Sequence, residues 1–387
     1  MLKANTELYT QYDQDVWDRL KACPLPLYLY GTGDGADKIL AVCRARGIRI
    51  CGIFVSDEFY RGQTFQGFTC RTLSQLETTV GQFAVAVAFG SHLPQLKNRV
   101  LDIAARHPLF MPDVPVAGGP VFDRDFLSAN RDRIEEARAI WADEDSQRVF
   151  DQIIDYKMTG SIEPLFACES DKEEVFSRLI PLGSGEDYID LGAYNGDTIR
   201  EFLSHVPGGP SSFSYHSICA FEPERHSFKK LSQYVETAGL HDVSLYFGGV
   251  GALTQDRYLN DNHGRGSHLA GNSFVSETGT EAAGRQPSAG LQASGRLTHF
   301  YRVDDLSLPC SYLKMDVEGA EEEALDGLKE LLTRQQPKLN IAVYHKSGDL
   351  FTLPLKLKKW LPQYQFFLRR HPCFPCWEVN LYARPSF

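Results

Sequence analysis

Apolar positions along the chain fall twice into the same grammar: a short apolar run, a glycine turn, then apolar residues at helical spacing. The first instance covers residues 27–58. A strand ends at Tyr30, Gly31 and Gly33 make the turn, Ala36 starts a helix running to about Arg46, and a second apolar run, Ile50 to Val55, ends near Asp57. A further buried run at 83–89 and a short strand at 114–116 complete the pattern expected of a small doubly wound, Rossmann-like α/β domain over residues 1–118. An amphipathic helix within residues 1–22 precedes it, with Leu8, Tyr12, Val16 and Leu20 on one stripe. Residues 119–178 carry apolar positions at helical spacing (Ile134, Ala137, Ile140 and Trp141, then Phe150, Ile153, Ile154 and Met158) and read as a helical linker with a solvated charged face.

The second instance opens a domain over residues 179–387. Tyr188 to Leu191 is the strand, Gly192 and Gly196 bracket the turn, and Asp197-Thr198 begins the helix. A second strand, 218–221, ends in Glu222-Pro223, where the proline keeps Glu222 extended. A helix over 225–238 leads to a strand at 243–247, closed by Gly248 and Gly249. Residues 254–298 lose periodicity and turn rich in Gly, Ser, Asn and Gln, the composition of a long insertion or lid. Residues 311–321 restate the grammar: Lys314, Asp316 and Glu318 alternate with Leu313, Met315 and Val317, Gly319 turns, and one amphipathic helix runs on to Pro337. A strand at 339–344 delivers His345, a helix covers 350–361, and two last strands, 364–370 and 377–383, form a hairpin.

Chemistry follows from what stands at the strand ends. A glycine turn at a helix N-terminus presents N–H groups and a dipole to a ligand. Asp190 beside it disfavours a phosphate and favours a ligand carrying an ammonium, and S-adenosylmethionine suits that charge. Glu222, at the tip of the next strand, stands where an adenosine ribose is gripped through its hydroxyls. Gly192, Gly196, Asp197, Thr198 and Gly249 complete the candidate cofactor set. His345 and Asp316 are the candidate catalytic residues, an imidazole being the better base near neutral pH. Lys314 and Glu318 are the candidate substrate contacts. The Gly31-x-Gly33-x-x-Ala36 fingerprint leaves an alternative open: a nucleotide-sugar-binding or scaffolding protein with a silent catalytic half, or an oxidoreductase.

A net charge of −10 argues against a general nucleic-acid or anionic-membrane surface. No run approaches the length of a bilayer span, and the N-terminus lacks a signal-peptide layout. Nine cysteines, scattered and odd in number, suit a reduced, cytoplasmic protein. Cys373 and Cys376 have no second cysteine pair, and no residue set dictates a metal, although Asp316, Glu318 and His345 could hold Mg²⁺. A small-molecule or carbohydrate acceptor is the expected partner, and a homo-oligomer is compatible with the sequence.

The blocks DLGAYNGDT, FEPE, LKMDVEGAEEEALDG and AVYHKSGDLFTLPLKL, with QFFLRRH and NLYA, resemble the FkbM family of S-adenosylmethionine-dependent methyltransferases over residues 145–387. The resemblance implies a class I methyltransferase fold, a mostly parallel seven-stranded sheet ending in an antiparallel hairpin. It also implies methyl transfer to a hydroxyl of a sugar or secondary metabolite. By position it places Asp190, Gly192, Gly196, Asp197, Thr198 and Glu222 on the cofactor side and Asp316, Glu318 and His345 on the acceptor side. The insertion at 254–298, with Ser267, Asn272 and Ser273, is longer than the family pattern, and the N-terminal domain lies outside the family core and resembles nucleotide-sugar-binding modules.

Overall fold

A computed structural model describes residues 9–208, 214–260 and 295–386. Leu8, the interior of the 254–298 insertion and the residues Ser267, Asn272 and Ser273 lie outside them, so the lid expectation does too. Contacts divide the chain into two compact units, one of residues 1–181 with 342–387 and one of residues 182–341. This grouping differs from the chain-order division expected from sequence. The last 46 residues group with the first 181, and the helices of residues 119–178 are part of that unit's core.

The first unit starts with α1 (Val16–Ala22), shorter than the expected helix because Asp15 caps it, its side chain accepting from the Trp17 and Asp18 amides. There follow β1 (Leu27–Tyr30), α2 (Asp34–Arg46), β2 (Ile50–Val55), β3 (Arg71–Thr72), α3 (Leu73–Thr79), β4 (Ala84–Val87), α4 (Pro94–Ala104) and β5 (Leu109–Phe110). The strands form a sheet in the order β3-β2-β1-β4-β5, every pairing parallel. The expected strand at 114–116 is absent and its place in the sheet falls to β5, since Pro115 has no N–H to give a ladder.

Two long helices, α5 (Arg124–Ala139) and α6 (Glu144–Thr159), are capped by Asp123 and Asp143. The expectation of a wholly solvated charged face fails at Lys157. Its ammonium is buried and paired with Asp113 at 2.5 Å, because α6 is embedded on more than one side.

The second unit is built on five parallel strands. In chain order it holds β6 (Glu186–Leu191), α7 (Asp197–His205), β7 (Tyr215–Glu222), α8 (Arg225–Thr237), β8 (Val243–Phe247), β9 (Gly249–Val250), β10 (Gln255–Asn260), β11 (Gly295–Tyr301), β12 (Tyr312–Met315), α9 (Glu321–Asp326), α10 (Lys329–Gln335) and β13 (Lys338–Ala342). Strand order β8-β7-β6-β12-β13 reverses direction between β6 and β12, the switch point of an open α/β sheet. Both ends of the insertion are ordered as an antiparallel pair, β10 with β11, where Tyr258 faces Leu297. The single helix expected after Gly319 is two. Gly327 interrupts it where a side chain would lie 2.0 Å from the Gly251 carbonyl, and Asp304 restarts it by accepting the Glu330 and Leu331 amides.

Residues after β13 belong to the first unit and supply α11 (Asp349–Trp360) and the antiparallel strands β14 (Tyr364–Arg370) and β15 (Val379–Pro385). The antiparallel hairpin expected at the end of the chain is present as β14 and β15. No helix among the described residues is long and apolar enough to cross a membrane.

Candidate functional site

In the second unit the turns after β6, β7 and β12 gather most of the residues singled out by sequence. Asp190 and Lys314 are register partners on adjacent strands, so side chains of opposite charge share one face of the sheet. Asp190 is fully buried. Its Oδ2 accepts from the Thr198 hydroxyl, while Oδ1 is buried without a hydrogen bond of normal geometry from any described residue, the Tyr188 hydroxyl acting on the same carboxyl from beyond that geometry. Burial pushes this carboxyl up to about 6, against the lowering effects of the Lys314 charge and the Thr198 hydroxyl.

The glycine turn is a packing requirement before it is a ligand site. Gly192 has φ +86°, and a Cβ there would sit 1.9 Å from the Asp316 carbonyl oxygen. Asp316 N–H in turn donates to the Leu191 carbonyl at 2.9 Å. The turns after β6 and β12 are thus locked backbone to backbone. Gly196 has φ +83° and stands at the N-cap of α7 with no side-chain cap, where a Cβ would lie 2.6 Å from the Tyr234 ring. Asp197 and Thr198 open the helix, with the Asp197 side chain accepting the Thr198 amide at 3.0 Å.

Glu222 ends β7, is buried, and has both oxygens engaged by backbone: Oε2 by the Tyr194 N–H at 2.9 Å and Oε1 by the Glu224 N–H at 2.7 Å. Burial raises its carboxyl to about 7, partly offset by those two amide bonds and reinforced by the negative charges of Glu224 and Asp190. Each oxygen keeps a second lone pair, so two amides fix the carboxylate's direction without exhausting it.

Beyond β12 the expected alternation stops. The strand ends at Met315, and Glu318 has φ +54°, so Asp316 and Glu318 stand in a turn and do not share a strand face with Lys314. The reason is Glu321, the first residue of α9. It is buried, and its Oε1 accepts the Val317 amide at 3.0 Å and the Gly319 amide at 3.3 Å, curling the chain over itself. Lys314 Nζ lies 3.6 Å from Asp316 Oδ2 and 3.4 Å from the Gly192 carbonyl. Gly249 is buried with a hypothetical Cβ 2.5 Å from the Phe300 ring, so packing alone demands a glycine there.

His345 belongs to the other unit. Its ring is fully buried and tilted against Tyr344 at 4.1 Å between centroids, and its carbonyl accepts the Ala117 amide at 3.0 Å. Two further groups were missed by sequence reading. Glu224 caps α8 through the His226 and Ser227 amides, a signal readable in the acid that follows Pro223. Tyr194 adopts φ +46°, which turns its N–H toward Glu222 and has no sequence signature.

The donor set fits S-adenosylmethionine. A buried carboxylate oxygen without a hydrogen bond suits an ammonium, and a fixed carboxylate at the next strand tip suits a ribose diol.

Residues 190–368 match the family model described as Methyltransferase FkbM domain. Among solved structures, Methyltransferase FkbM from Methylobacillus flagellatus KT is similar over 93% of this chain and 90% of its own, at 17% identity and a TM-score of 0.66, a likeness of fold. Aeropyrum pernix fibrillarin with natively bound S-adenosyl-L-methionine aligns over 57% of this chain and 73% of its own, at 14% identity. Its TM-score of 0.31 is too low to carry an argument. No curated protein matches the sequence.

Proposed function

We propose that the chain transfers a methyl group from S-adenosylmethionine to a hydroxyl of a sugar, polysaccharide or secondary metabolite, a reading supported by the match of residues 190–368 to the FkbM methyltransferase family model. The observation that carries the cofactor reading is the buried, hydrogen-bond-free Oδ1 of Asp190 beside the Gly192–Gly196 turn. S-adenosylmethionine, when bound, supplies a methyl group made electrophilic by its sulfonium.

The protein's own residues do the rest. Asp190 holds the ammonium end, its other oxygen fixed by Thr198. Glu222 holds the ribose, oriented by the amides of Tyr194 and Glu224. Lys314 sits between the two sides, bonded to the Gly192 carbonyl and paired with Asp316. Asp316 is part-exposed and accepts the acceptor hydroxyl's hydrogen bond on a carboxylate oxygen, then its proton. Glu318, in the same turn, binds a further acceptor hydroxyl. His345 is the second candidate base; full burial of its imidazole ranks it behind Asp316, reversing the order expected from intrinsic basicity alone.

Calorimetric titration of the full chain with S-adenosylmethionine, followed by transfer of a labelled methyl to a panel of polyhydroxylated acceptors, tests this reading. Binding with turnover on a hydroxyl is expected. Binding without turnover on any acceptor would point to the silent-module alternative, and absence of binding would remove the cofactor assignment.

A further inference from the structure

The N-terminal sheet raises its own question. Its order β3-β2-β1-β4-β5 reverses between β1 and β4, where doubly wound folds hold a nucleotide outside the carboxyl ends of the strands. The walls of that crevice are residues 31–33 after β1 and 88–93 after β4.

Part of the same compact unit stands there already. The loop joining β14 and β15, residues 373–377, pairs with the wall. Ser91 N–H donates to the Phe374 carbonyl at 2.7 Å, and Phe374 N–H returns a bond to the Ser91 carbonyl at 3.0 Å. Aromatic rings continue the contact. Phe374 meets the edge of Phe89 at 5.6 Å between centroids, and Phe89 meets Tyr30 at 4.8 Å. Phe89 lies so close to the first fingerprint glycine that a Cβ on Gly31 would be 2.8 Å from its ring. A Cβ on Gly90 would be 2.3 Å from the Trp377 ring. Phe374 is 1% exposed, so this loop is seated and not merely near.

The helix entrance is also wrong for a phosphate. Asp34 and Asp37 both lie in the first turn of α2, placing carboxylates where a pyrophosphate would seek positive dipole. The groups after β2 are engaged as well: Ser56 bonds the Tyr30 hydroxyl at 2.5 Å, and Glu58 pairs with Arg99 at 2.6 Å.

We propose that this Rossmann-like domain binds no nucleotide, and that its switch-point crevice is instead the docking site for the chain's own 373–377 loop. Phe374 and Trp377 take the ligand's place, and the domain braces the β14–β15 hairpin. A tethered segment competes at a high effective concentration, so a free nucleotide must displace a local ligand that never diffuses away. Gly31 of the fingerprint then serves the close packing of Phe89, and Gly90 that of Trp377, and neither serves a pyrophosphate.

Hydrogen exchange of the full chain, read on peptides covering 88–93 and 373–377 with and without millimolar NAD or UDP-glucose, tests this. Both peptides should be protected in the free chain, and neither nucleotide should change them. Rapid exchange of the Ser91 and Phe374 amides in the free chain, or a nucleotide-dependent change in either peptide, would overturn the proposal. Gly90→Ala supplies a second arm: by pushing Trp377 out it should raise exchange at 373–377 about tenfold or more. Unchanged exchange in a folded Gly90→Ala protein would also count against the docking.

Discussion

Two glycine turns in this chain share one grammar and differ in nearly everything that matters to a ligand. At the first, Gly31 and Gly33 lead into a helix whose opening turn holds Asp34 and Asp37, and aromatic rings crowd the strand ends. At the second, Gly192 and Gly196 lead into a helix faced by two buried carboxylates, one with an oxygen that no described residue bonds. A glycine turn provides close approach and little else. The side chains at the strand ends decide what approaches.

The largest effect is expected where that second turn meets chemistry. Asp316→Asn should lower turnover roughly 10²–10⁴-fold, the range for a positioned base, with S-adenosylmethionine affinity nearly unchanged. His345→Ala is the paired measurement. If His345→Ala loses the rate and Asp316→Asn keeps it, the order assigned to the two is inverted.

Next in size is a substitution that contrasts the glycines directly. Gly192→Ala forces a left-handed residue and a clash with the Asp316 carbonyl, and should destabilise the fold by about 3 kcal/mol or more while abolishing cofactor binding. Gly33→Ala has φ +108° but nothing within 4 Å, so backbone strain alone applies, about 1–2 kcal/mol. Thermal unfolding of the two variants checks this, and equal losses of stability would erase the distinction drawn between the turns.

Glu222→Ala should weaken S-adenosylmethionine binding by about 1.5–3 kcal/mol, on the scale of hydrogen bonds to a charged group. Calorimetry reads it, and an unaltered affinity would sink the ribose assignment.

The smallest effect is a matter of pH. Both buried carboxyls are raised, Asp190 to about 6 and Glu222 to about 7. Between their ordinary values and those raised ones, the ligand-free fold holds protons that the unfolded chain has released. Acidification through that window therefore stabilises the free protein, and the contribution is lost as pH rises through about 6 and 7. Cofactor binding needs the ionised carboxylates, so affinity should rise with pH across the same window, up to about tenfold per unit for each group. Binding near pH 6.5 should release protons, visible as a buffer-dependent heat, and a heat independent of buffer would remove the role given to these groups.

Much of this was readable in one dimension. Period-two and period-3.6 apolar patterns follow from backbone geometry, so β6, β7 and β8, the two long helices α5 and α6 and the final hairpin stood out in sequence. Asp190 and Glu222 were legible for the same reason, each being the polar residue that ends an apolar strand. Residues whose role depends on a partner far along the chain were not. Glu321 looks like one more helix acid until the Val317 and Gly319 amides fold back onto it. Lys157 looks solvated until Asp113 arrives from 44 residues away. Gly327 looks like an ordinary helix residue until the Gly251 carbonyl approaches. The fate of the N-terminal fingerprint turned on Phe374 and Trp377, about 340 residues downstream in the 387-residue chain. Local pattern is a property of neighbouring residues and survives in the sequence. Burial, pairing and occupancy are properties of space, and only the packed chain decides them.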